Sequence, residues 1–158
     1  MASNKSAVLG IGVLGSMMLG SSGDGLFLIT DRTAEDVRIG NAKGKYGAED
    51  LNRVGNAINY VSARLRSCGN LVQAFPKTDW ERKDIPTEEQ MEWYLDQVRS
   101  IRNALALYQT TPLVPADMVD LTHTEANNIE RILLDVDALI SNMVSAYFYS
   151  GDLYGGEL

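Results

Sequence analysis

The sequence predicts an all-α protein: a small three-helix bundle with an extended glycine-rich N-terminal arm and a short C-terminal tail. Three observations support this class. Apolar residues recur at alternating steps of three and four over three segments, Thr-x-x-Gln and Thr-x-x-Glu precede two of these segments, and prolines or glycines separate them. The predicted boundaries are 1–45 for the arm, 46–151 for the bundle and 152–158 for the tail. A chain of 158 residues, 45% of them hydrophobic, is long enough for one buried core.

The N-terminal arm combines an apolar stretch with one strand-like segment. Residues 6–19 are apolar and glycine-rich, but they are too few to span a bilayer, which needs about 20 apolar residues. The stretch loosely resembles a signal peptide, although it lacks the small-residue cleavage motif. We therefore expect a buried or partner-contacting arm and no membrane insertion. The strand-like run is Leu26–Thr30, and the candidate interface residues of the arm are Leu9, Ile11, Val13, Leu14 and Met17.

The first helix is predicted from about Ala48 to Ser67. Gly69 follows it and can adopt the left-handed conformation that commonly ends a helix. A loop that contains Trp80 leads to the second helix. The core face of the first helix is marked by Leu51, Val54, Ile58, Val61 and Leu65.

The second helix is predicted to begin near Thr87, which forms a possible capping box with Gln90. Pro112 and Pro115 prevent its continuation, so residues 110–117 are expected to form a connection. One stripe along this helix consists of Met91, Leu95, Val98, Arg102 and Leu105.

The third helix has the strongest periodicity in the chain. Thr122 and Glu125 form another possible capping box, and Gly151 is a natural end. Two explanations of its stripe are open: packing within one chain, or a coiled coil with other copies. The intrachain bundle is the simpler one, because the same chain offers two further amphipathic helices. The stripe consists of Ala126, Ile129, Leu133, Val136, Ile140, Met143 and Tyr147.

The negative charge is concentrated in the last third of the chain. The formal net charge is −7, and residues 103–158, with eight acidic side chains and one basic one, account for all of it. This distribution argues against nucleic acid as a partner, since phosphate binding needs clustered Lys and Arg. The single cysteine, Cys68, excludes a disulfide within the chain.

No motif predicts catalysis, a metal or a cofactor. Gly10-Ile-Gly-Val-Leu-Gly15 matches a dinucleotide-binding pattern, but no strand and crossover helix surround it. The only histidine, His123, cannot form a multi-histidine metal site, and no nucleophile motif accompanies it. Asp135 and Asp137 resemble the start of a calcium loop, yet they lie within a predicted helix and lack the loop's glycine. We expect both carboxylates to be solvated and the protein not to be an enzyme.

Aromatic residues in the loop before the second helix and near the C-terminus are the remaining interface candidates. They are Trp80, in a charged loop, and Phe148, Tyr149 and Tyr154. Consecutive helical residues point about 100° apart, so three aromatics in a row cannot all face one core. Packing within the chain and contact with another subunit are both open. A second hypothesis makes Trp80 and the terminal tyrosines the stacking surface of a receptor- or glycan-binding module.

Six short segments follow one another between residues 29 and 157. They are Asp31-Arg-Thr with Asp36-Val, Lys43-Gly-Lys-Tyr-Gly-Ala-Glu-Asp-Leu-Asn-Arg-Val54, Lys77-Thr-Asp-Trp80, Asp84-Ile-Pro-Thr87, Ala126-Asn-Asn-Ile-Glu130 and Tyr149-Ser-Gly-Asp-Leu-Tyr-Gly-Gly-Glu157. This ordered set resembles a segment found in structural proteins of phages and prophages of Firmicutes, usually encoded among tail genes.

The resemblance implies a non-enzymatic structural or adaptor protein of a phage or phage-like particle, located in the virion and made in the bacterial host cytoplasm. The implied partners are other virion or tail proteins and further copies of the chain, in a tail tip, fibre or collar. No catalytic chemistry and no cofactor come with it. The chain departs from the pattern in two places: the polar insertion between Val37 and Lys43 is nearly absent, and residues 1–28 have no counterpart. We therefore expect the arm to insert into a neighbouring virion protein.

Overall fold

The part of the chain that the structure describes contains four helices joined by irregular segments. The computed structural model describes the backbone of residues 26–155 and the side chains of residues 26–150. The predicted all-α class is confirmed, since residues 26–155 contain no strand. The helices are α1 (Ala34–Ile39), α2 (Ala48–Ser67), α3 (Glu88–Arg102) and α4 (His123–Gly155).

Helix α2 has the predicted bounds, and both predicted capping boxes are formed. The N–H of Gln90 donates to Oγ1 of Thr87 at 3.2 Å, and the N–H of Thr87 donates to Oε1 of Gln90 at 2.9 Å. Thr122 and Glu125 exchange the same two bonds, at 2.9 and 3.2 Å, before α4. Gly69 has a φ of 84°, the left-handed conformation predicted for the residue that ends α2.

The stripes of the three long helices face one core. Helices α2, α3 and α4 pack against one another in all three pairs. Each large apolar side chain contributes roughly 1.5–3 kcal/mol when it is buried. The apolar side chains with no exposed surface are Val54, Ile58, Val61, Leu65, Leu95, Val98, Ile101, Ile129, Ile132, Leu133 and Val136.

Helices α2 and α4 run in the same direction. Arg53, near the start of α2, donates to Glu130, near the start of α4. Arg64, near the end of α2, donates to Asp137 and Ser141, further along α4. The two helices therefore lie side by side and parallel.

Helix α3 shares this direction. The side-chain amide of Asn70, just after α2, donates to the carbonyl of Ala104, just after α3, at 2.7 Å, so both helices end at the same level. Because α2, α3 and α4 all begin at the same end of the structure, the chain has to run back past the preceding helix before α3 and before α4.

The first return segment, residues 68–87, lies against α2. Trp80 in this segment exchanges two hydrogen bonds with Asn52, at 2.7 and 2.9 Å. A Cβ at Gly55, one turn further along α2, would come within 2.9 Å of the Lys77 carbonyl oxygen. The interior of α2 therefore needs glycine at this position, because any side chain would push the return segment away.

The second return segment, residues 103–122, is held by two arginines of α3. Arg102 donates to the carbonyl of Pro112 at 2.7 Å. Arg99, one turn earlier, donates to the carbonyl of Pro115 at 3.0 Å. The segment thus runs against the direction of α3, towards the start of α4.

Residues 26–33, the N-terminal segment, also run against the helices. The N–H of Arg32 donates to Oδ1 of Asn127 at 3.0 Å, and the N–H of Ile29 donates to Oε2 of Glu130 at 2.6 Å. The predicted strand-like run within this segment forms no strand, because its backbone is bonded to side chains of α4 instead of a neighbouring strand.

Helix α1 lies inside the region predicted as an extended arm. Thr33 and Asp36 form a capping box at its start. Six residues make less than two turns, so the apolar periodicity carries no usable signal there. Within the region predicted as the arm, Leu26 and Leu28 pack against the core.

We expect Asp36 to titrate far below its ordinary pKa of 3.8. The side-chain amide of Asn41 and the hydroxyl and N–H of Thr33 donate to its carboxylate and lower its pKa to about 2. The stabilisation of α1 by the ionised Asp36 carboxylate is therefore complete above pH 3.8, and it is lost as the pH falls through about 2. A carbon-13 NMR titration measures this pKa. Thr33→Val, which removes one donor, should move the pKa back towards 3.8; a value of 3.8 in the parent chain contradicts the prediction.

Helix α4 does not end at Gly151, as predicted, but continues through Gly155. A single glycine costs a helix about 1 kcal/mol relative to alanine, which weakens the helix without ending it. The predicted tail, residues 152–158, therefore begins inside α4. With 33 residues, α4 is about 50 Å long.

Candidate interaction surface

The last part of α4 extends beyond the helices that pack against it. Contact between α2 and α4 reaches the level where Arg64 binds Asp137 and Ser141, and α2 ends three residues later at Ser67. Past that level, no other helix of the described chain lies beside α4. All ten residues from 141 to 150, which we name the helix extension, are exposed.

The core stripe of α4 continues into the helix extension with unchanged spacing. Leu133 and Ile140 are 0% and 1% exposed, whereas Tyr147, seven residues further, is 78% exposed. Val136 is 0% exposed and Met143, again seven residues further, is 43% exposed. Seven residues make nearly two turns, so each series lies on one face of the helix. This face stays apolar after Ile140, although its side chains become exposed there.

The helix extension is apolar, aromatic and uncharged. Although the chain has a net charge of −7, no Asp, Glu, Lys or Arg occurs from Ala138 to Ser150. Tyr149 points about 180° away from Ile140, so aromatic surface is present on the outer side of the helix as well. An exposed apolar patch of this kind is typical of a contact surface. Its large exposed side chains are Met143, Val144, Tyr147, Phe148 and Tyr149.

The structure exposes two of the interface residues predicted from the sequence. Phe148 and Tyr149 are 69% and 74% exposed on the helix extension. Tyr154 lies in α4, but its side chain is outside the described residues. The arm candidates Leu9, Ile11, Val13, Leu14 and Met17 also lie outside the described residues.

Trp80 is buried, which corrects the prediction that its ring is an interface residue. The residue is 7% exposed, and its backbone N–H and carbonyl are both bonded to the Asn52 side chain. The ammonium of Lys77 lies 4.8 Å from the ring centroid. The loop was predicted to be exposed because it is rich in charged residues. Arg82 and Lys83 do lie at the surface, but the indole of Trp80 packs against the core.

Four ionised side chains form a cluster between the N-terminal segment, α2 and α4. We define Arg32, Asp50, Arg53 and Glu130 as the buried ion cluster. Oε1 of Glu130, which has no exposed surface, accepts from Arg32 and Arg53, both at 2.7 Å. Oδ1 of Asp50 accepts from the same two guanidinium groups at 2.9 and 2.6 Å. Two positive charges thus face two negative ones, and the carboxylates offer no uncompensated charge to a cation.

A pair of tyrosines lies beside the buried ion cluster. The guanidinium of Arg32 is 5.4 Å from the centroid of the Tyr46 ring, and the Tyr46 hydroxyl is 2.8 Å from that of Tyr94. Burial raises the pKa of Tyr46 and of Tyr94, so both hydroxyls stay protonated at neutral pH. The arrangement is that of a closed structural network that joins three parts of the chain.

Asp135 and Asp137 are each 8% exposed, so the prediction that they are solvated is wrong. Asp135 accepts a hydrogen bond from the Thr111 hydroxyl at 2.7 Å, and its Oδ1 forms an ion pair with Nε of Arg131 at 2.9 Å. Asp137 is paired with Arg64. Within the described part of the chain, no group of three or more His, Cys, Asp or Glu side chains is placed to hold a metal ion.

The length and composition of α4 would also allow it to cross a membrane. The stretch His123–Ser150 has a mean hydropathy of 1.2 over its most apolar window. A core helix has the same composition, and one third of this window is buried inside the structure.

Comparison of the chain with protein-family models, curated proteins and solved structures finds no match. The fold and the surface define the molecule as an all-α protein whose longest helix presents an apolar, aromatic end. Sequence reasoning does not identify the buried ion cluster. The one signal for it is that its four members lie in segments that carry the resemblance described above.

Proposed function

We propose that the chain is a non-enzymatic structural or adaptor protein of a phage or phage-like particle, located in the virion and associated with the tail or a fibre. A three-helix bundle serves as the platform, and the helix extension contacts other subunits, either tail proteins or further copies of the chain. The observation that carries this proposal is the helix extension, whose ten residues are all exposed and uncharged and include three consecutive aromatic side chains.

The positions of the segments that resemble phage structural proteins support the proposal. Three of the six segments supply the buried ion cluster: Arg32 comes from the first, Asp50 and Arg53 from the second, and Glu130 from the fifth. The sixth segment begins at Tyr149, in the helix extension. These segments therefore supply residues that hold the fold together and residues that form an exposed surface. Such residues are expected in a structural protein that binds other subunits, more than in an enzyme.

We expect the double variant Tyr147→Asp/Phe148→Asp to lose association with particles. Two charges in an apolar contact remain without partners, and a cost of about 2.8 kcal/mol already weakens binding about 100-fold. Co-sedimentation with purified particles measures the association. The stability of the isolated chain should change little, since both side chains are exposed.

The control is Phe75→Asp, which places one carboxylate at an exposed aromatic residue of the first return segment. This variant should co-sediment like the parent chain. Undiminished association of the double variant contradicts the proposed contact surface, and a parent chain that never associates with particles contradicts the structural role.

Receptor or glycan binding is the alternative function. With Trp80 buried, the stacking surface for it is reduced to the exposed aromatics of the helix extension. Glycan-array binding that is lost on Tyr149→Ala, in a chain that does not associate with particles, favours this alternative.

A further inference from the structure

We propose that in the isolated chain residues 7–19 fold back along α4 and cover the apolar face of the helix extension, formed by Met143, Val144 and Tyr147. The inference goes beyond the proposed function, because it concerns what covers this face before a partner does. It applies whether or not the protein belongs to a particle.

The direction of the N-terminal segment leads the chain along α4 towards the level of the helix extension. Arg32 is bonded to Asn127, and Ile29, three residues earlier in the chain, is bonded to Glu130. Followed backwards, the chain therefore moves towards the C-terminal end of α4. The described chain, followed back to Leu26, thus heads towards the level of the helix extension.

The length of the chain before the N-terminal segment is sufficient. Glu130 and Tyr147 are 17 residues apart on α4, which corresponds to about 26 Å. The ten residues from Leu19 to Ile29 span up to about 33 Å when they are extended. Leu19 can thus reach the level of Tyr147, and the apolar stretch before Leu19 can lie along the helix extension.

The two surfaces match in chemistry. Residues 6–22 contain no charged side chain, and neither do residues 138–150. Their contact therefore buries no ion and brings no like charges together, even though the protein as a whole is acidic. Removal of apolar surface from water favours the contact on both sides.

A second copy of the chain is less suited to cover the face. Beyond Ile140, α4 continues to Gly155, over about 23 Å, and one pair of helices in contact over this length forms a small interface compared with the ~1,200–2,000 Å² of a stable protein–protein interface. A segment of the same chain can bind through a smaller area. The covalent link keeps the segment near this face at an effective concentration in the millimolar range.

Disulfide trapping in the isolated full-length chain tests the proposal. Cys68→Ser removes the exposed native thiol, and Val13→Cys is then combined with Val144→Cys. The matched control combines Val13→Cys with Glu89→Cys, at an exposed position in the first turn of α3, at the other end of the bundle. Val13 is 16 residues from Ile29, up to about 53 Å of extended chain, so an arm without a docking site would reach both positions.

We expect the intramolecular disulfide to form at least about tenfold faster with Val144→Cys than with Glu89→Cys, because docking raises the effective concentration above that of a free tether. Non-reducing gels separate the cross-linked monomer from a dimer. Equal rates for the two pairs overturn the proposal. A disulfide-linked dimer as the main product with Val144→Cys also overturns it and identifies a second copy as the occupant.

A second measurement does not depend on disulfide geometry. Deletion of residues 2–19 should raise the fluorescence of the dye ANS severalfold, because the apolar face becomes accessible. Tyr147→Ser/Phe148→Ser in the shortened chain should reverse this rise. An unchanged signal after the deletion overturns the proposal. Neither measurement uses particles, so a failure here leaves the proposed structural role untouched.

Discussion

Glu130→Ala is expected to lower the free energy of unfolding by about 3–5 kcal/mol, the cost of removing one partner of a buried ion pair. The carboxylate accepts four hydrogen bonds, one from the N–H of Ile29, one from Arg32 and two from Arg53. Without it, Arg32, which is only 4% exposed, retains Asp50 as its single charged partner. The N-terminal segment should also detach from α4 and become sensitive to proteases.

Urea denaturation followed by circular dichroism measures this change. The matched control is Glu92→Ala, an exposed glutamate on α3, which should stay within about 0.5 kcal/mol of the parent chain. Glu130→Gln keeps the shape of the side chain but loses its charge. The free energy of unfolding of this variant should lie between those of Glu130→Ala and Glu92→Ala. A loss below about 1 kcal/mol for Glu130→Ala would show that the buried ion cluster does not hold the fold together.

Trp80→Ala is expected to cost a similar amount, about 3–5 kcal/mol, because it removes a large buried side chain and leaves a cavity. The ring packs against the core, and the same residue holds the first return segment to α2 through Asn52. The sequence-based hypothesis of an exposed stacking residue predicts almost no loss of stability. Thermal or urea denaturation therefore distinguishes the two positions of the ring.

Two controls refine the prediction for Trp80. Its indole N–H has no hydrogen-bond partner among the described residues, so Trp80→Phe removes volume alone and should cost less than about 1.5 kcal/mol. Trp93→Ala removes a tryptophan that is 48% exposed and should cost far less than Trp80→Ala. Equal losses for Trp80→Ala and Trp93→Ala contradict the burial of Trp80.

The elements that the sequence predicts well are those with local signals. The bounds of α2 and the capping boxes at Thr87 and Thr122 depend on residues three or four positions apart, and the structure has them as predicted. Helix α1 has only six residues, too few for such a signal. The end of α4 was placed too early, because a glycine lowers helix stability without fixing where a helix ends.

Polar residues were predicted less well, because their partners are distant in sequence. Arg32 and Glu130 are separated by 98 positions, Asn52 and Trp80 by 28, and Thr111 and Asp135 by 24. A charged or polar pattern looks the same whether its members meet water or one another. The burial of Asp135 and of Trp80 therefore required the three-dimensional structure.

The exposure of the helix extension depends on the arrangement of whole helices. The apolar stripe of α4 is regular from Ala126 to Tyr147, and nothing in its spacing shows where packing stops. That point is set by the parallel course of α2 and by its end at Ser67. Periodicity indicates which face of a helix is apolar, whereas the lengths of the neighbouring helices decide how much of it is covered.

The ribosome synthesises the N-terminal segment before it synthesises the residues of α4 to which this segment binds. The hydrogen bond between the Ile29 N–H and Glu130 joins residues that are 101 positions apart. At about 5–20 residues per second, the ribosome adds Glu130 on the order of 5–20 s after Ile29. Until then the segment has no partner on α4, and Arg32 has only half of its buried counter-charges. A segment that is made about 100 residues before Glu130 is thus among the last to reach its final place.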